Sequence, residues 1–169
     1  ACQRAAGDLG ALSAERVGHE MTRLMSQRQC AKALTEMTAI GVLSTALFSP
    51  RALSCLTQLE TFQTPVDAEM RIAVMAISGA AVASLRDKWR LSNATMARIN
   101  RLMGAADLAR QGKLAELAYR YGGEGEAGLA LAAAIEGRAE SWLAERLNTI
   151  TAIEPGAFPL SGSDLVSAG

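Results

Sequence analysis

The chain has 169 residues, of which 50% are hydrophobic, 4% aromatic and 20% charged, with 17 basic and 17 acidic side chains and a net charge of zero. That composition excludes a disordered chain, which needs low hydrophobicity and high net charge. It also advertises neither a nucleic-acid nor a membrane partner through net charge alone.

The core must be aliphatic. Ala and Leu number 33 and 21, against 6 Val and 7 Ile. Ala and Leu favour helix, and β-branched residues favour strand. The expected fold class is all-α, an irregular bundle of eight or nine short helices. The longest uncharged stretches, 37–50 and 72–85, are too short to span a bilayer. No membrane partner is expected. No signal peptide precedes Arg4. Cys2, Cys30 and Cys55 form no disulfide framework and fit a reducing, cytoplasmic setting. The chain opens on Ala1-Cys2-Gln3-Arg4 without Met, in what reads as mid-helix. The expectation is a piece of a larger protein.

Ser13 is a good N-cap, Leu12 a possible staple, and Glu15 an anion suited to the first turn of a helix. Val17, Met21, Leu24 and Met25 then share one face. A second helix spans 30–40, with Gly41 just past its end. Ser49-Pro50 reads as N-cap and first helical residue, and Thr64-Pro65 repeats the signal. The helix after it carries Met70, Val74 and Ile77 and is apolar nearly all round, which implies burial. A further helical stretch reaches Trp89. Ser92 caps a helix with Met96, Ile99 and Met103. Helices over 107–121, 126–136 and 140–153 follow, with a Gly-rich turn over 122–128. Pro155, Gly156 and Pro159 break the pattern, and Asp164-Leu165-Val166 reads as a further helix start.

Charge is uneven. Residues 86–113 hold Arg86, Lys88, Arg90, Arg98, Arg101, Arg110 and Lys113 against Asp87 and Asp107, a net +5. Residues 114–154 hold three basic and seven acidic groups, a net −4. Arginines on neighbouring helices match phosphates and could track an RNA backbone. Arg98 and Arg101 are three apart and share a helix face. An ordinary solvated face around a core Trp89 explains the same charges.

Other chemistry is thin. Gly123-Glu124-Gly125-Glu126-Ala127-Gly128 matches G-x-G-x-x-G, but it follows a helix rather than a strand. Its two glutamates would repel a pyrophosphate. His19 is the sole histidine and has no nucleophile at a known spacing. No clustered ligands suggest a metal, and no paired carboxylates suggest phosphoryl transfer. Neither a catalytic nor a metal-binding residue is expected in this chain.

The run Leu12-Ser13-Ala14-Glu15-Arg16-Val17-Gly18-His19-Glu20-Met21 resembles the neck motif of bacterial CCA-adding enzymes and poly(A) polymerases, the class II nucleotidyltransferases. Ser13, Glu15, Arg16, Val17 and Glu20 fit it; Met21 stands where Leu is usual. Ala39-Ile40-Gly41-Val42-Leu43, Arg90-Leu91-Ser92-Asn93-Ala94, Glu116-Leu117-Ala118-Tyr119-Arg120-Tyr121-Gly122 and Phe158-Pro159-Leu160-Ser161-Gly162-Ser163-Asp164-Leu165 are similar to body segments of that family, in the same order. The resemblance implies neck-end helices over 1–45 and a body/tail RNA-binding region over 46–169. The Gly-Ser motif, paired aspartates and Arg-Asp motif of the family's catalytic head do not occur here, nor does its Glu-Asp-x-x-Arg motif. It implies that Ser13, Glu15, Arg16 and Glu20 act structurally. With the basic segment, it points to Arg86, Lys88, Arg90, Arg98 and Arg101 as tRNA contacts. Mg²⁺ and ATP or CTP would belong to the intact enzyme. The rival expectation is an all-α interaction or scaffold domain with no RNA role. CCA addition, A addition and poly(A) synthesis stay open, as does oligomeric state.

Overall fold

A computed structural model describes residues 13–45, 47–79 and 82–153. Cys2, Leu12 and the segment over 158–165 lie outside the described residues. Among those described are nine helices and no strand: α1 Ala14–Met25, α2 Cys30–Ala39, α3 Pro50–Thr61, α4 Ala68–Ile77, α5 Val82–Trp89, α6 Asn93–Arg110, α7 Leu114–Tyr121, α8 Glu124–Glu136 and α9 Glu140–Thr151. No described helix is long and apolar enough to cross a membrane.

Three start signals act as their residue types require. Ser13 accepts from the Arg16 N–H, Ser49 from Ala52 with Pro50 in the first turn, and Ser92 from Thr95. Each satisfies a backbone donor that the helix itself cannot reach. The expected start at Thr64-Pro65 is corrected. Asp67 caps α4, accepting from the Met70 N–H at 2.9 Å. Asp is the stronger cap; Asp67 is extended at φ −101° and ψ 179°, and the Val66 carbonyl before it accepts from Arg71 Nη1 at 3.1 Å.

Two further expectations shift. The break placed before residue 107 falls instead at 111–113. There Gly112 adopts φ +72° and donates to the Ala109 carbonyl, while Lys113 N–H reaches back to Leu108. That pair of bonds is a Schellman closure, and glycine suits its left-handed residue. The Gly-rich turn is shorter than 122–128. Only Gly122 and Gly123 turn, and α8 runs straight through Gly125 and Gly128. Gly128 is buried because α6 passes directly over it: a Cβ there would lie 2.6 Å from Ala105 Cβ.

The small residues of α8 make it the central helix. Leu129 through Ala134 are buried without exception, and α8 packs along α6 more extensively than any other pair of helices does. α4 is likewise buried from Met70 to Ala76, as its apolar circumference implied. The remaining core is aliphatic, with Leu34, Leu56, Leu59, Ile72, Ile99, Leu102 and Leu117 fully enclosed and Phe48 stacked on Trp89 at 6.2 Å. α1 packs on α4 and α5, so one core runs across residue 45.

Candidate nucleic-acid interface

The five expected RNA contacts divide into two groups. Arg86, Lys88 and Arg90 stand exposed on the last turn of α5 and the residue after it, around a Trp89 whose ring is in the core at 5% exposure. Arg90 takes φ +48°, a left-handed conformation that ends α5. Leu91 N–H then closes onto the Arg86 carbonyl, and Ser92 opens α6. This tight corner gathers three cations within five residues. Arg86 Nη2 donates to Asn93 at 2.8 Å, which orients its guanidinium beside an open hollow of about 440 Å³ lined by Arg86, Asp87, Arg90 and Leu91.

Arg98 and Arg101 have a different setting. Arg98 is clamped between Asp67 at 2.5 Å and Glu69 at 3.1 Å, both from the start of α4. The Asp67 hydrogen bond raises its pKa further. Arg101 pairs with Glu124 at 2.7 Å and lies over the Tyr121 ring. Three carboxylates thus neutralise two arginines that share a helix face. Their spacing says nothing of this, because the partners lie 23 to 31 residues away.

The neck-like residues sit at the opening of α1. Glu15 reaches Arg90 at 3.5 Å, with both side chains mostly exposed. Such a pair contributes little to stability. Arg16 and Glu20 are exposed on the same helix. α1 comes this near the corner because residue 18 is glycine: any Cβ there would overlap the Trp89 carbonyl. His19 is exposed beside Gly18. Among the described residues, no three His, Cys, Asp or Glu side chains gather as a metal site.

Sequence reasoning passed over the most buried charges. Arg71 and Glu60 pair at 3.0 Å with side chains only 4% and 8% exposed. Arg71 Nη1 donates to the Met25 carbonyl at the end of α1, and Glu60 Oε2 accepts from the Ala31 N–H at the start of α2. Each charge faces the helix end whose dipole it complements. Gln29, between those ends, holds φ +59°. The one signal in sequence was Arg71 itself, the only charge inside the apolar run of α4.

Cys30 lies against this pair. Burial first, then the charge and hydrogen bond of Glu60, push its thiol up to about 12. A thiol so raised loses native-state stability as pH climbs from the ordinary value of 9.0 towards 12. The thiolate is the reactive form. Cys30 is therefore expected to resist iodoacetamide at pH 8 while the chain is folded and to react once it is unfolded in guanidinium. Mass spectrometry of the tryptic peptide checks this, and rapid native labelling would contradict the burial.

No family model, curated protein or solved structure matches the chain.

Proposed function

We propose that this chain positions RNA, tRNA above all, for nucleotide addition to its 3′ end by a catalytic head carried elsewhere in a protein of the tRNA nucleotidyltransferase and poly(A) polymerase family. The observation that carries the reading is the corner of Arg86, Lys88 and Arg90. All three are exposed, and among the described residues their one ion pair is the solvent-screened contact of Arg90 with Glu15. The order of the resembling segments along the sequence supports it too. Glu15 and Arg16 would act structurally at the same corner. Mg²⁺ and the incoming nucleotide belong to the head in this reading.

The reading favours a narrower surface than five arginines and lysines. Arg98 and Arg101 already hold carboxylates, so an RNA phosphate would have to displace Asp67, Glu69 and Glu124 from them. The working face is the α5–α6 corner. The same neutralised arginines favour the second reading, an interaction module whose charges serve its own helices.

A tRNA titration followed by anisotropy at 50 and 200 mM salt tests the proposal. Phosphate contacts release counterions, so affinity must drop steeply with salt. Reversing Arg86, Lys88 and Arg90 to Glu is expected to weaken binding by at least about tenfold and to flatten the salt slope. Bases are not read by such contacts, so tRNA species should bind alike. Unchanged binding by the triple variant would return the chain to the interaction-module reading.

A further inference from the structure

The acidic C-terminal third holds a cationic feature that its net charge conceals. Arg138, Trp142 and Arg146 follow one another at intervals of four, the last two on α9. The guanidinium of Arg138 lies 5.6 Å from the centroid of the Trp142 ring, and that of Arg146 lies 5.4 Å from it. Two cations therefore share one aromatic ring. Trp142 is half-buried, unlike the enclosed Trp89.

The acids nearby hold Arg138, which a phosphate would have to draw off Glu136, but they do not reach Arg146. Glu136 pairs with Arg138 at 3.0 Å but also with Arg110 at 3.4 Å, so one carboxylate serves two guanidiniums. Glu140 accepts from the Gln63 N–H of the loop after α3. Glu145 precedes Arg146 in sequence yet makes no ion pair with it. Among the described residues no carboxylate pairs with Arg146, and its buried Nε has no hydrogen-bond acceptor. Nε is too enclosed for a ligand to reach, so what an anion would meet is the rest of a guanidinium that no described carboxylate holds.

We propose that the Arg138–Trp142–Arg146 ladder is a contact for single-stranded RNA, separate from the α5–α6 corner and resting on the RNA reading given above. Phosphate oxygens match the planar fork of arginine. Unpaired bases stack on guanidinium planes and aromatic rings, which a duplex does not offer. Together these groups suit a strand with accessible bases. Arg138 is anchored for the purpose, because Gln58 Nε2 holds its carbonyl at 3.3 Å.

The test uses the whole chain labelled with 5-fluorotryptophan and a fluorescein-tagged 12-nucleotide RNA of mixed sequence. Its two fluorine resonances are assigned with Trp142→Phe. The Trp142 resonance is expected to shift on titration, and to do so equally in the Arg86, Lys88 and Arg90 reversal. Arg138→Gln with Arg146→Gln is expected to weaken RNA binding about tenfold and to lower the salt slope by about 1.4, two phosphate contacts on a single strand. Because Arg146 is partly buried, Arg138→Gln alone and Arg146→Lys guard against a folding defect. Both should weaken binding with unchanged melting temperature. RNA that binds without moving the Trp142 resonance, and with equal affinity for the ladder variants, would overturn the ladder and leave the corner standing. A poly-glutamate peptide that shifts the resonance where RNA does not would make it a protein-binding face and overturn it too. No RNA binding at 50 mM salt would remove both readings.

Discussion

Arg71→Met is expected to destabilise the fold by about 3–5 kcal/mol, the cost of leaving a buried charge without its partner. For a chain of this length that is a melting-temperature loss of roughly 6–20 °C. Glu60 would keep its carboxylate at 8% side-chain exposure with no cation against it. The carbonyls of Met25 and Val66 would lose their donor as well. The loss concentrates at one junction, where α1 ends, α2 begins and the Val66 carbonyl precedes α4. Adding Glu60→Gln to Arg71→Met removes the stranded charge while keeping an acceptor for the Ala31 N–H. The double variant is expected to melt above Arg71→Met alone. Thermal melts of the two singles and the double close the cycle. Independent, additive losses would show that the two residues are not coupled as their 3.0 Å separation requires.

Gly128→Val is expected to cost about 3 kcal/mol, the upper end for overpacking a core. Its Cβ would meet both the Ala105 side chain at 2.6 Å and the Ala105 backbone carbon at 2.8 Å. Backbone cannot step aside as a flexible side chain can, so α6 and α8 must move apart. That pairing is the most extensive among the described helices, and the loosening should spread through it. Gly123→Ala is the matched control. It lies five residues upstream at an αR conformation, and a Cβ there meets nothing within 4 Å. Urea unfolding of both variants decides the point. Equal midpoints would mean that α6 and α8 do not approach this closely.

The contrast between these glycines shows how far sequence reasoning reached. Gly122 through Gly128 reads as one turn because glycine is poor in helix interiors. The first two residues do turn. Gly125 and Gly128 stay helical because tertiary packing needs a missing side chain more than it needs helix propensity. Caps behave differently. A cap is a bond over three residues, so its signal is local and legible at Ser13, Ser49 and Ser92. At α4 the bond is as local, from the Met70 N–H to Asp67, and the expectation at Thr64 placed it three residues early.

The RNA candidates divide along the same line. Sequence determined the helical class, the aliphatic core, the position of most helices and the cluster of cations over 86–113, since these follow from composition, periodicity and neighbours along the chain. It could not tell which cations are available. Arg98 looked equivalent to Arg86 until Asp67 and Glu69, 31 and 29 residues away, closed on it. Arg138 and Arg146 looked like minor charges in an acidic segment until α9 laid both against Trp142. The Glu60–Arg71 pair left only Arg71 as a trace in the sequence, because it joins the ends of helices that meet only when the core forms. Local rules set the helices. The availability of each charge was decided only by the tertiary structure, because ion pairing depends on distances in space that sequence separation does not contain.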